Sequence, residues 1–301
     1  MSERRGGRPK ATDLVLLAYC AGAVLLLLAD GRPLGERRLA LAAGHALVAG
    51  LALALGFADR GREGTFVRFA HRWLPLVAIA WLYGWAGEMR HLVFAADFDP
   101  LVEGWDEALF PGHWHALGAR LPLPAVELAH AVYFSYYLLL FVPALAAGRR
   151  AAAATDRYLF WLTTALTAHF ALNLLVPVAG PLATRHATMP SGVVFVPLMD
   201  GFYGAFDRGG LAFPSTHVVA AMIAAWFAGR VFFPRAALAY AAWFAAIAAS
   251  TVLCGYHYPV DVLAGLVTGG LFVALAAGCR RAADERIARV PQSRVPGELE
   301  R

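Results

Sequence analysis

Eight stretches of apolar residues, most of them close to the length that crosses a lipid bilayer, dominate this sequence. They cover 14–29, 39–58, 73–96, 125–147, 158–178, 215–233, 236–253 and 258–277. A spanning segment needs about 20 apolar residues, and only a helix or a closed barrel satisfies its backbone hydrogen bonds in hydrocarbon. Hydrophobic residues make up 59% of the chain and charged residues 16%, where a soluble domain carries about 25% charged. A disordered chain and an ordinary water-soluble enzyme are thereby excluded. The expected fold is all-α: a polytopic membrane bundle of about eight spans. The first run is short and follows a basic start, as a signal-peptide core does. Leu28-Ala29-Asp30-Gly31 is a poor cleavage site, however, so a retained span is expected.

A net charge of +5 would suggest nucleic acid in a soluble protein. Here the positive charge is almost all arginine, gathered at the chain ends and between apolar runs. That pattern is a topology signal, and no nucleic-acid partner is expected. With the N-terminus inside, the inner segments hold Arg4, Arg5, Arg8 and Lys10, then Arg60, Arg62, Arg68 and Arg72, then Arg149, Arg150 and Arg157, then Arg230 and Arg235. The tail adds Arg280, Arg281, Arg286, Arg289, Arg294 and Arg301. Outer segments hold Arg32, Arg37, Arg38, Arg120, Arg185 and Arg208, and the third connection is acidic. Both termini are therefore expected in the cytoplasm, with the chain in the plasma membrane. Cys20, Cys254 and Cys279 are odd in number and lack metal-ligand spacing.

Two longer connections are placed outside. Residues 97–124 carry Asp97, Asp99, Glu103, Asp106 and Glu107 with Phe98, Trp105, Phe110 and Trp114, and suit a piece lying at the interface. Residues 179–213 are rich in Gly and Pro.

Polar residues at the ends of apolar spans are expensive and ask for a reason. Two clusters stand out, both at the outer face. Pro214-Ser215-Thr216-His217 opens the sixth span. The unpartnered amides and positive dipole of a helix start favour an anion. The Ser215 hydroxyl adds a donor, Thr216 belongs to the same phosphate-binding start, and His217 lies in the first turn. A plain N-cap with an interfacial histidine is the structural alternative. The second cluster runs from Ser250 to Asp261, with His257 and Asp261 four residues apart at the start of the eighth span. A carboxylate there fixes the imidazole tautomer and stabilises the imidazolium. Together the clusters form a phosphoryl-transfer constellation: one histidine attacks phosphorus and the other protonates the leaving oxygen. No carboxylate cluster offers a metal site, and neither metal nor cofactor is expected.

These motifs resemble the second and third signatures of the type 2 phosphatidic acid phosphatase superfamily. The second, Pro-Ser-x-His, is Pro214 to His217. The third, Ser-Arg-x5-His-x3-Asp, runs from Ser250 to Asp261 with Thr251 in the Arg position. The resemblance implies His257 as nucleophile, Asp261 as its partner, His217 as general acid and Ser215 at the phosphoryl group. The phrase Phe-Pro-Ser-Thr-His with Gly-Tyr-His-Tyr-Pro-Val-Asp-Val-Leu-Ala-Gly is most similar to the branch of inositol phosphorylceramide synthases. It implies a six-span core over 73–279, two added spans within 1–72, and a loose cytoplasmic tail over 280–301.

The first signature, Lys-x6-Arg-Pro, has no Lys in the matching stretch from Val176 to Arg185. Arg185 is the candidate replacement for the missing cations, with His186 and Arg208 behind it. A charge-poor pocket would suit a phosphodiester donor. Elsewhere, Glu88, Arg90 and His91 are expected to pair or line the pocket. His169 and Asn173 share a helix face, and Tyr133, Tyr136 and Tyr137 read as packing.

The expected function is a metal-independent lipid phosphatase or phosphotransferase, acting at the outer face through a phosphohistidine. Its partners would be a membrane lipid substrate, the bilayer and a small alcohol acceptor. A simple hydrolase of lipid monophosphates or polyprenyl diphosphates is the alternative. A catalytically degenerate transporter or lipid-binding protein is a second.

Overall fold

The computed structural model describes residues 7–32, 35–59, 65–206 and 209–288. Eleven α-helices carry them: α1 Ala11–Ala29, α2 Glu36–Ala58, α3 Phe66–Met89, α4 Asp99–Leu109, α5 Leu123–Ala147, α6 Ala152–Leu175, α7 Leu182–Thr188, α8 Phe195–Phe206, α9 Thr216–Phe227, α10 Ala237–Leu253 and α11 Pro259–Ala288. No strand forms among the described residues, which hold one isolated parallel bridge between Val178 and Leu211. The chain is an all-α polytopic bundle. Among the described residues six segments are long and apolar enough to cross a membrane by themselves: Ala11–Ala29, Glu36–Ala58, Leu123–Ala147, Ala152–Leu175, Pro234–Leu253 and Pro259–Ala282. The other two expected spans fall on α3, which carries charge at both ends, and on the short α9 with the wider turn Ala228–Phe232.

The shortness of α9 reflects its place. Nearly every residue from Thr216 to Phe227 is buried, as befits a helix that is apolar all round and enclosed by others. It packs against α11, α10, α6 and α5. Its closest approach is to α11, through Gly265 and Gly269. A Cβ on Gly265 would stand 2.9 Å from the Ser215 carbonyl oxygen, and one on Gly269 would meet Val219 and Met222 at 3.4 and 3.2 Å. Small residues four apart let two helices in lipid bring their backbones together. Helices α1 and α2 pair with each other on the flank, α1 against α6 and α2 against α3.

Three element boundaries differ from expectation. The third span was expected over 73–96, but α3 runs Phe66–Met89, capped by the Thr65 hydroxyl, which accepts from the Arg68 amide at 3.2 Å. Its first turns are polar, and remote acids neutralise them. His71 is held between Asp59 and Asp13 at 2.8 and 2.9 Å, Arg68 meets Asp59 at 3.0 Å, and Arg72 meets Asp156 at 3.0 Å. The tail expected to be loose from 280 is helical as far as Ala288, because α11 continues without a stop signal. The connection 179–213 carries two helices, α7 and α8. Outside the described residues lie Arg4, Arg5, Arg60, Arg62, Arg208 and the remaining tail with Arg289, Arg294 and Arg301. So do the side chains of Arg149, His186 and Arg286.

Candidate active site

The starts of α9 and α11 meet at one end of the bundle. Ser215 caps α9, its hydroxyl accepting from the Val218 amide at 3.4 Å, and its own amide donates to the Asp261 carbonyl at 3.1 Å. One backbone bond thus locks the two motifs together. Between α10 and α11 the chain reverses at Gly255, whose φ of +70° is a conformation that disfavours a side chain. The amides of Tyr256 and His257 then both donate to the Thr251 carbonyl, at 3.1 and 3.2 Å. Thr251 therefore holds the turn through its backbone, while its hydroxyl donates to Ala248.

This turn presents His257 to Ser215. The Asp261 carboxylate accepts from the Tyr258 amide at 2.8 Å and faces His257 Nδ1 at 3.3 Å. With Nδ1 turned to the carboxylate, Nε2 points the other way, to the Ser215 hydroxyl at 3.2 Å. The His217 ring stands across, its centroid 5.7 Å from that of His257. All four side chains are buried, Asp261 completely. The arrangement offers an imidazole nitrogen backed by a carboxylate, a hydroxyl beside it, a second imidazole opposite, and the amides of a helix start. Those are the parts for in-line displacement at a tetrahedral anion.

His217 sits in an aromatic shell, with ring centroids of Tyr136, Tyr133 and Tyr83 at 4.9, 5.3 and 6.2 Å. It also heads an apolar cavity of about 280 Å³, lined by Thr216, Ile79, Tyr136, Leu140, Phe170 and Phe206 among others. Of the tyrosines read from sequence as packing, Tyr133 and Tyr136 thus flank the histidine, and Tyr136 and Tyr137 line the cavity. Tyr83 was missed.

Arg185 is buried and lies one layer behind. Its Nε donates to the Cys254 carbonyl at 2.7 Å, Nη1 to Asp200 at 2.6 Å and Nη2 to His130 Nε2 at 2.7 Å. The guanidinium also stacks over the Tyr256 ring at 4.5 Å, and Tyr256 stacks on Tyr133 at 4.7 Å. These contacts make Arg185 a fastener of the turn that carries His257.

The connection between α3 and α5 does more than lie at an interface. Asp99, Glu103 and Asp106 fall on one stripe of α4 at i, i+4 and i+7. Asp99 accepts from the amides of Ala179 and Gly180, each at 2.8 Å. The Tyr258 hydroxyl donates to Glu103 at 2.6 Å, and the Val260 amide to Asp106 at 2.9 Å. The stripe thus fastens the stretch matching the first signature and the start of α11. Burial pushes the carboxyls of Asp99 and Asp106 above their ordinary range. It pulls His115, whose ring packs on Tyr258 at 5.0 Å, below its own.

The remaining polar residues spread out. Glu88 pairs with Arg37 at 2.9 Å, whereas Arg90 and His91 turn to Asp97 at 3.5 and 2.9 Å. His169 bonds to Thr268 at 2.9 Å, and Asn173 donates to the Phe213 carbonyl at 2.8 Å. These two share a face but brace different neighbours.

A sequence profile of the PAP2 superfamily matches residues 105–275. The chain belongs to that superfamily, which supports a membrane phosphatase-type function for it. No curated protein and no solved structure matches it. The matched stretch takes in α5 to α10 and most of α11 with both histidine motifs. It leaves out α1, α2 and α3, although α3 walls the cavity.

Proposed function

We propose that this protein cleaves or transfers the phosphoryl or phospho-head group of a lipid through a phosphohistidine. The observation that carries the reading is the meeting of His217 and His257, centroids 5.7 Å apart, at the head of an apolar cavity. His257 Nε2 attacks phosphorus, and the bond to the leaving oxygen breaks as His217 gives that oxygen a proton. Asp261 holds Nδ1 and the positive charge that develops on the ring. Water or an alcohol then attacks the phosphohistidine while His217 takes its proton back, and the N–P bond breaks. Ser215, Thr216 and the amides leading α9 bind the phosphoryl oxygens. Arg185 acts here by holding the Cys254–Tyr258 turn, its donors being directed to Cys254, Asp200 and His130. The lipid tail takes the cavity below His217.

The arginine distribution supports an extracytoplasmic site with both termini inside, and the membrane so proposed is the plasma membrane. The phrases around His217 and His257 favour transfer to a small alcohol, in the manner of the inositol phosphorylceramide synthase branch. Purified protein in detergent, given lipid monophosphates, polyprenyl diphosphates and phosphodiester lipids with and without inositol, decides between these. Phosphate release or head-group exchange that vanishes in His257→Ala is the expected result. Turnover undiminished by that change would overturn the reading. Phosphate release indifferent to inositol would leave a hydrolase.

A further inference from the structure

Helix α8 packs against α5 and α3, and both of its ends are fixed. The Glu127 carboxylate of α5 accepts from the amides of Val193, Val194 and Phe195 where the helix begins. Where it ends, the Phe206 carbonyl oxygen lies so close to α3 that a Cβ on Gly84 would stand 2.9 Å from it. The residues between face two ways. Phe202, Tyr203 and Phe206 line the apolar cavity headed by His217. Met199 is fully buried in a cluster with Cys254 and Tyr256. Asp200 meets Arg185 at 2.6 Å, and Arg185 in turn holds the Cys254 carbonyl. Helix α8 therefore touches both the space for a lipid chain and the turn that carries His257.

Tyr203 belongs to both sets, and one further ring joins it to each histidine. Its own ring lies on Tyr256, the residue before His257, with centroids 4.2 Å apart and planes 6° from parallel. Its hydroxyl shares a hydrogen bond with that of Tyr133, whose ring stands 5.3 Å from that of His217. Arg185, the other side-chain fastener of the turn, is buried among protein partners. Tyr203 differs in having one side in the cavity. A chain packed there closes the gap beside the ring and adds dispersion contacts that keep it on Tyr256. Binding energy from a remote part of a substrate raises kcat when it orders the reacting groups.

We infer that Tyr203 is a positioning residue: a lipid chain in the cavity holds its ring against Tyr256 and so steadies His257 for attack. The inference rests on the proposed phosphoryl transfer and names the side chain through which the lipid tail acts on it.

Butyl phosphate and dodecyl phosphate share one leaving-group chemistry and differ in whether they fill the cavity. With the purified full chain, kcat on dodecyl phosphate is expected to be about tenfold that on butyl phosphate, the scale of one aromatic stack. In Tyr203→Ala that ratio falls to near one, and Tyr203→Phe, which keeps the stack, restores it. A merely structural ring would lower both rates together and leave the ratio intact, which overturns the proposal. So does a ratio near one in the unaltered protein, even if Tyr203→Ala does not fold. Dodecylphosphonate and methylphosphonate, whose C–P bonds are not cleaved, separate this inference from the reading beneath it. With carbon-13-labelled histidine, the His257 signal is identified by its loss in His257→Gln. It should sharpen with dodecylphosphonate alone, and not in Tyr203→Ala. Such sharpening without turnover of either phosphate upholds the link from chain to His257 while phosphoryl transfer fails. An equal response to both phosphonates overturns the positioning role even where phosphate is released.

Discussion

At the scale of single residues, the two imidazoles are set apart by their neighbours. His257 has a carboxylate at 3.3 Å behind one nitrogen and a hydroxyl at 3.2 Å before the other. Among the described residues His217 has no carboxylate partner, and it rests among tyrosine rings. That asymmetry fits a nucleophile and a proton donor. A proton donor matters in proportion to the basicity of the leaving oxygen. His217→Gln should therefore slow release of a lipid alkoxide by about 10²–10⁴-fold. Turnover of a p-nitrophenyl phosphodiester, whose leaving oxygen needs no proton, should fall far less. Steady-state rates on the two substrates check this, and equal losses would assign His217 to binding. The motifs around these residues were legible in the sequence because each is short and opens a span, so its spacing survives folding unchanged. The place of Arg185 was not, since its partners Cys254, Asp200 and His130 come from three other stretches of chain.

At the scale of elements, the distance between α9 and α11 decides whether the site exists. Gly265 stands where a Cβ would be 2.9 Å from the Ser215 carbonyl, whereas Gly270 on the same helix faces open space. Gly265→Leu should push α9 away and lower kcat/KM by about 10²-fold, the scale of a displacement near 1 Å. Gly270→Leu should leave it nearly unchanged. Comparable losses in both variants would remove close packing as the cause.

Helix α4 bears a second test. Burial raises the Asp106 carboxyl, so ionising it is harder in the folded chain than in the unfolded one. Its contribution to stability is complete below the ordinary value near pH 4 and is lost as pH rises through the raised value. Asp106→Asn keeps an acceptor for the Val260 amide and drops the charge. Its Tm in detergent should equal or exceed that of the unaltered protein at neutral pH, the difference closing below about pH 4. A neutral-pH Tm as low as that of Asp106→Ala would contradict this. The acids of α4 were read in the sequence only as part of an acidic, aromatic piece at the interface, because their partners Ala179, Gly180, Tyr258 and Val260 are remote in the chain. The start of α3 was misplaced for the same physical reason: Asp13, Asp59 and Asp156 neutralise its first turns from a distance.

At the scale of the whole molecule, the bundle sets a polar centre at one end of an apolar cleft and a cluster of paired charges at the other. The all-α polytopic class could be read from hydropathy, although among the described residues six of the eight expected spans are long and apolar enough to cross a membrane by themselves. The cavity could not, since its walls come from α3, α5, α6, α8 and α9, which are remote from one another in the chain. The central claim is that phosphorus is transferred to His257 between these helices. Rapid quenching of a reaction with lipid labelled at phosphorus, followed by peptide mapping, tests it most directly. The account predicts an acid-labile, alkali-stable label on the peptide carrying His257, absent in His257→Asn. Full turnover with no label on that peptide, or label persisting in His257→Asn, would contradict it.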